Sequence, residues 1–456
     1  MKINLQSPTL KFSVSGMRGL FPGDINACNI AEIIHAFHKT VKPGAVALAR
    51  DNRSTGEAIE NILTGIFQSL GREVHKLGVV PTPTIKAYVH DKKLPGAIMI
   101  SASHNPATYT AFKFIKQGGF FFEKEENEQL AANLQNAAKN EDWGDYRRQG
   151  AALDAHEASI DLHIQAVLKR VFPSGKAGKN NLKVALDTLG ACATDILPRF
   201  LDKIGIRYVS LFPEILYNFP RPPEPVAASL SKLSRFVVDN KCDIGFAFDP
   251  DADRLAIVGP DGKPIGEELT LPLAMMKSLS GKKGAVVVNL SSSLYNEYAA
   301  GLNGCRVYRS KVGEANVVEL MKKKKAVFGG EGNGGVIDPD IPSFGRDSLA
   351  GVAWILRLLL DTKKSLPQLM ENFPAYFMKK EAVTGDAALQ AKLADKIERE
   401  FPGWIKDTSD GCHFLAPDLS GWIHIRSSNT EPVIRILAEA GSKKLLARLL
   451  EITRVN

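Results

Sequence analysis

AIMISASHNP, residues 97–106, carries a short unbroken apolar run straight into a polar turn. Four apolar side chains in succession read as a buried strand. Asn105 and Pro106 favour a turn over continued strand, which leaves Ser103 presented at the strand's end. Outward from this stretch the same figure recurs in AVALAR (45–50), KVALD (183–187), IGFAF (244–248), AVVVN (285–289) and AVFGG (326–330). Longer amphipathic stretches lie between them, among them the charged segment 123–139. The alternation predicts an α/β protein. In open α/β sheets ligands collect beyond the carboxyl ends of strands, so the chemistry is expected in the loops that follow these runs.

Four such loops bear chemistry. In SASHNP (101–106), Ser103 taken alone reads more readily as a strand-to-loop turn residue capping a helix. A serine hydroxyl is a poor nucleophile at neutral pH and needs a base or a metal. DPDADR (249–254) places Asp249, Asp251 and Asp253 at alternating positions directly after IGFAF. Carboxylates so crowded repel one another without a cation, and hard oxygen donors suit magnesium or calcium. An EF-hand is excluded, because Arg254 and Pro260 stand where it needs Gly and Glu. A phosphatase of the aspartyl-nucleophile type also begins on a strand and D-x-D, and stays as a rival. GGEGNGG (329–335) sets Glu331 and Asn333 among five glycines, suited to close backbone approach and to sugar hydroxyls. It lacks the Gly-Lys-Ser/Thr ending of a P-loop. RSSNTEPVIR (426–435) gathers Arg426, Ser428, Asn429 and Thr430, a guanidinium, two hydroxyls and an amide that together can hold a phosphate. A helix N-cap is compatible with the same residues.

At 456 residues the chain exceeds one ordinary core, and two to four domains are expected. The recurrence of strand–loop–helix units predicts three related α/β domains and a smaller C-terminal α+β domain around a central cleft. The expected boundaries are 1–150, 151–256, 257–368 and 369–456. No apolar run approaches the roughly 18 residues of a membrane span, and the interrupted run 349–360 reads as a buried helix. The N-terminal residues lack the apolar core of a secretory signal. Five dispersed cysteines without a C-x-x-C pair argue against disulfides or structural zinc and point to the cytoplasm. The formal charge of +8 is spread along the chain, which fits a small phosphorylated partner and no nucleic acid or membrane.

Taken in order, the four loops resemble those of the α-D-phosphohexomutase superfamily: phosphoglucomutases, phosphomannomutases and phosphoglucosamine mutases. SGMRG (15–19), FPRPPEP (219–225) and RSKVGE (309–314) resemble further family segments, so the likeness spans essentially the whole chain. The resemblance implies a phosphoserine at Ser103 and a Mg²⁺ ion held by that group with Asp249, Asp251 and Asp253. It implies a general base at Lys113, in AFKF, with His104 and Arg18 beside the reacting phosphate. Arg254 would lie against the metal loop, and Lys311 would join the substrate-binding set. Glu331 and Asn333 would read sugar hydroxyls. Arg426, Ser428, Asn429 and Thr430 would clamp the distal phosphate, with closure of the C-terminal domain excluding water. The implied reaction interconverts hexose 1-phosphate and hexose 6-phosphate through a hexose 1,6-bisphosphate. The sugar loop departs from the commoner G-E-x-S-G-H, with Asn333 for Ser and Gly335 for His. That form is similar to the branch labelled phosphoglucosamine mutase, with glucose or mannose as alternatives. A non-catalytic sugar-phosphate sensor is the reading from another class.

Overall fold

The computed structural model describes residues 3, 7, 9–13, 16–136, 148–427 and 433–454. The chain forms two compact units, Met1–Thr270 with Gly334–Leu366, and Leu271–Asn333 with Pro367–Asn456.

The first unit is built on two sheets. The larger runs in the order Lys11–Ser13, Gly16–Leu20, Tyr109–Lys116, Gly96–Ile100, Val46–Arg50, Val74–Val79, Ala152–Asp154, with Phe120–Phe121 paired to Tyr109–Lys116. Gly96–Ile100, fully buried, pairs parallel with Val46–Arg50 and antiparallel with Tyr109–Lys116. The chain therefore doubles back after SASHNP, and Lys113 stands opposite Met99. Arg18 stands opposite Ala111 across the next ladder, which puts it on the same sheet face as Lys113. Gly16 is required there: its φ is +100°, and a Cβ would lie 2.1 Å from the Phe112 carbonyl oxygen. Helices cover the sheet. Ala27–Thr40 begins on a reciprocal cap, in which Asn26 accepts from the Asn29 N–H at 3.2 Å and Asn29 accepts from the Asn26 N–H at 2.9 Å. Its buried Phe37 packs on Phe67, Phe114 and Phe122, with ring centroids 5.7–5.9 Å apart.

The second sheet has the order Arg207–Ser210, Lys183–Asp187, Ile244–Phe248, Leu255–Val258. The first three strands are parallel and the last is antiparallel, so DPDADR is a hairpin loop closed by the pair Phe248 and Leu255. The apolar run 349–360 is a helix, Ser348–Thr362, as expected. Its buried face includes Leu349, Val352, Ile355 and Leu356, while the half-exposed Arg357 pairs with Asp361 at 2.9 Å.

In the second unit Ala285–Asn289 lies between the parallel strands Arg306–Ser310 and Phe328–Glu331. A separate five-stranded sheet is antiparallel throughout: Phe377–Thr384, Val433–Ala440, Gly421–Ser427, Cys412–Leu415, Ile405–Asp407. Helices Ala387–Glu400 and Lys443–Ile452 bury Leu393, Ile397 and Leu449 against its Ile423, Ile425, Ile434 and Ile436. All five cysteines are free thiols. Among the described residues no helix is long and apolar enough to cross a membrane.

Candidate active site

The serine and aspartate loops meet within the first unit. Ser103, 9% exposed, donates from Oγ to Asp249 Oδ2 at 2.8 Å. The serine loop is held from below. Ser103 N–H donates to Ser101 Oγ at 3.0 Å, and Ser101 Oγ donates to Asp51 at 2.8 Å. Asp51 pairs with Arg53 at 2.9 Å. The Arg53 guanidinium then donates to the carbonyls of Ser103, Asn105, Pro106 and Tyr109 at 2.5–3.2 Å.

Asp249, Asp251 and Asp253 are fully buried, with carboxylate oxygens within 4.8 Å of one another. The hairpin stays compact because Ala252 takes a φ of +49° and Asp249 Oδ1 accepts from the N–H groups of Asp253 and Arg254 at 3.1 and 3.2 Å. Lys113 Nζ lies 2.5 Å from Asp251 Oδ2 and 3.7 Å from Asp253 Oδ2. Arg346 donates to Asp253 Oδ2 at 2.5 Å, and the Thr82 hydroxyl donates to Asp251. Burial, then the charges of Asp253 and Asp251, push the Asp249 carboxyl well above the usual carboxylate range. Burial pulls Lys113 down, but the charges of Asp251 and Asp253 outweigh it and hold the ammonium above its ordinary value. His104 lies beside the serine, Nδ1 at 3.5 Å from Oγ. The charge of Arg254, then burial, then the charges of Arg346 and Arg18, hold its imidazole down at about 2.

This donor set fits a small hard divalent cation. Three buried carboxylates converge, and Asp251 Oδ1 has no hydrogen-bond partner among the described residues. An orphaned buried carboxylate oxygen is costly unless a ligand takes it.

The FPRPPEP segment braces the same loops. Phe219 faces the Arg53 guanidinium at 5.3 Å, and Arg221 donates to the Phe248 carbonyl and Asp187, both at 2.7 Å. Glu224 pairs with Arg254 at 2.8 Å.

The second unit carries the remaining described candidates. Glu331 is buried, and its Oε1 accepts from Asn289 Nδ2 at 2.7 Å and from the Gly313 N–H at 3.0 Å. Gly332 N–H donates to Ser292 Oγ at 3.1 Å, which fixes the turn of the GGEGNGG loop. Asn333 is half-buried, and its Oδ1 has no hydrogen-bond partner among the described residues. Lys311 is exposed, while Arg426 is half-buried at the end of Gly421–Ser427. Ser428, Asn429 and Thr430 lie outside the described residues.

Comparison with known proteins follows these features along the whole chain. Residues 9–141, 161–262 and 269–377 match phosphoglucomutase/phosphomannomutase alpha/beta/alpha domains I, II and III, and residues 384–454 match the C-terminal domain of that family. The probable phosphoglucosamine mutase of Methanopyrus kandleri is 31% identical, over 95% of this chain and 94% of its own. The chain belongs to the phosphoglucomutase/phosphomannomutase family. A phosphoglucomutase/phosphomannomutase of Thermococcus kodakarensis is also 31% identical, over 97% of each chain. A solved family structure from Burkholderia thailandensis has a TM-score of 0.80 and 25% identity, covering 97% of this chain and 96% of that one. Relatives in this family bear the names of hexose phosphate mutases, intramolecular phosphotransferases of the isomerase class.

In this member of the family, sequence reasoning missed Asp51, Arg53, Thr82 and Arg346 around the first unit's loops, and Asn289 beside Glu331. Asp51 and Arg53 follow the strand Val46–Arg50 as SASHNP follows its own, and Asn289 ends the strand Ala285–Asn289, so their place at strand ends was the available signal. Arg346 precedes Asp347, the N-cap of Ser348–Thr362, and no local pattern marks it.

Proposed function

We propose that this chain is a divalent-metal-dependent phosphohexomutase that shuttles a phosphoryl group through Ser103, with glucosamine phosphate as its first substrate. The observation that carries the reading is Ser103 Oγ, bonded at 2.8 Å to a carboxylate of a buried aspartate triplet. Asp249, Asp251, Asp253 and the Ser103 phosphoryl oxygens would hold Mg²⁺. When bound, the ion supplies the charge neutralisation that phosphoryl transfer chiefly demands.

The chain's own residues divide the rest. Ser103 gives its phosphoryl group to a free hydroxyl of a hexose 1- or 6-phosphate: the Ser Oγ–P bond breaks as the sugar O–P bond forms. Arg18 and Lys113, on one face of the sheet, supply positive charge to the transferring oxygens. Lys113 is held as an ammonium by Asp251, so it serves as a charge; His104, at 3.5 Å from Ser103 Oγ, is the better-placed proton acceptor. Its imidazole, held down by three guanidinium charges and by burial, accepts that proton only to the extent that the loaded site is net negative. The resulting hexose 1,6-bisphosphate returns its other phosphate to Ser103. Glu331, positioned by Asn289, and Asn333 would read sugar hydroxyls, while Lys311 and Arg426, with Ser428, Asn429 and Thr430, would bind the distal phosphate.

Ser103→Ala is expected to abolish interconversion, and the intact mass of the wild-type protein to include a species one phosphate heavier, mapped to Ser103. Near-normal turnover of the variant, or an acyl phosphate on Asp249, refutes the scheme. Parallel assays with glucosamine, glucose and mannose 6-phosphates test the sugar, with glucosamine expected to give the highest kcat/KM.

A further inference from the structure

Arg346 belongs to none of the four loops, yet the fold presents it to the aspartate loop from a braced segment. On one side, Phe344 packs against Phe120 and His90, with both centroid distances 4.8 Å, and its carbonyl accepts from Lys86 Nζ at 3.1 Å. On the other, Asp347 N–H donates to the Val336 carbonyl at 2.8 Å, and the Asp347 carboxylate bonds His163, fully buried, at 2.8 Å. Ser348 Oγ donates to the Arg254 carbonyl at 3.0 Å, which ties the segment to the hairpin itself. Between these anchors the Arg346 guanidinium, 11% exposed, meets Asp253 at 2.5 Å.

We propose that Arg346 is a further residue of the phosphoryl-transfer centre, counter-cation to Asp253 while the aspartate loop lacks its divalent ion and partner of the Ser103 phosphoryl group once the ion is bound. The inference rests on the mutase reading for its second half only. Charge balance motivates it. Lys113 lies 2.5 Å from Asp251 and Arg346 2.5 Å from Asp253, with Arg254 Nε farther off at 3.9 Å from Asp253, while Asp249 accepts from Ser103 and two backbone N–H groups. The two protein cations at hydrogen-bond distance thus match, in charge, the one divalent ion that the triplet would take. An ion entering the loop competes with both cations for the carboxylates and adds two positive charges beside Ser103, which a phosphoryl dianion offsets. Arg346 is near enough for this, since it bonds Asp253, whose carboxylate oxygen lies within 4.8 Å of one on Asp249, the acceptor of Ser103 Oγ at 2.8 Å. Guanidinium suits the task, being planar, permanently charged and able to bridge two oxygens.

The test compares wild type with Arg346→Met, and with Arg346→Gln should the first fail to fold. Calorimetric titration with Mn²⁺ alone needs no substrate and no turnover. Removing the competing cation is expected to tighten Mn²⁺ binding about 5-fold or more, the usual scale of coupling between two sites. In the mutase assay kcat is expected to fall ~10²–10³-fold, as on losing one donor to developing oxyanion charge, with KM within about threefold because the distal phosphate binds elsewhere. Unchanged or weaker Mn²⁺ binding overturns the counter-cation role. Full kcat in the variant, beside an active wild type, overturns the catalytic role and leaves the mutase reading standing. A wild type without mutase turnover sinks that reading instead, while the Mn²⁺ arm still decides the first role.

Discussion

Ser103 adopts a φ of +48°, in the left-handed region that residues bearing a Cβ seldom occupy. Such a conformation costs roughly 1–3 kcal/mol and persists only where neighbours over-determine it. Arg53 is the neighbour that does so: one guanidinium donates to four carbonyls along the loop and neutralises the buried Asp51. Arg53→Met would leave Asp51 as an uncompensated buried charge, a loss of about 3–5 kcal/mol. Urea denaturation should show a loss of this size. A variant that still folds should turn over ~10²-fold more slowly, because a displacement of ~1 Å of the nucleophile suffices for that. Wild-type stability and rate in the variant would mean that the loop holds its own shape. The same logic covers Ala252 at +49°, pinned by two backbone N–H groups on Asp249.

Between elements, His156 plays a comparable part. As the first residue of the helix His156–Val171 it bonds the Leu77 carbonyl at 2.7 Å through Nδ1 and Asp195 at 3.0 Å through Nε2. Both partners accept, so both ring nitrogens must carry protons. The hydrogen bond to Asp195 accordingly raises the histidine above its ordinary value, and Asp195 is lowered despite its burial. A raised histidine contributes stability that is complete below its unfolded value of 6.5 and fades as pH rises through the folded one. The lowered Asp195 contributes above 3.8 and fades as pH falls further. Wild type should therefore exceed His156→Gln by up to ~1 kcal/mol at pH 5.5, with the gap closing by pH 9. Melts at the two pH values check this, and a gap constant with pH would remove the imidazolium from the account. Elements of this kind divide what the sequence makes legible. Buried runs such as IGFAF and AIMIS announce their strands because they lack polar alternation. The aspartate spacing announces its loop because three adjacent carboxylates need a cation. Arg53, Thr82 and Arg346 reach the same loops from strand ends and helix starts distant in sequence, and only the topology brings them there. Glu331 shows a second limit: its place in the glycine-rich loop is legible, but the two donors already on its Oε1 are not. Nor does an apolar run tell direction: Leu255–Val258 returns antiparallel to Ile244–Phe248, itself parallel to Lys183–Asp187, and Tyr109–Lys116 returns antiparallel to Gly96–Ile100, itself parallel to Val46–Arg50.

At the scale of the whole chain, the candidate residues fall into two groups by unit. Ser103, Lys113, Asp249, Asp251, Asp253 and Arg346 belong to the first, and Lys311, Glu331, Asn333 and Arg426 to the second. A divalent ion held by the aspartate loop therefore stabilises the first unit directly. A ligand at 100 times its Kd adds ~2.7 kcal/mol to the folded state that binds it. Millimolar Mg²⁺ should slow hydrogen exchange in Gly96–Ile100, Ile244–Phe248 and Leu255–Val258, and leave Gly421–Ser427 and Val433–Ala440 unchanged. Asp249→Asn separates charge from shape in the same experiment. Burial and two like charges disfavour the Asp249 carboxylate, so the amide should raise the melting temperature of the metal-free chain while keeping an acceptor for Ser103. It should also remove the protection conferred by Mg²⁺, because a neutral amide is a far weaker ligand for a hard cation. Protection appearing first in the second unit, or surviving intact in Asp249→Asn, would place the ion somewhere other than the aspartate loop.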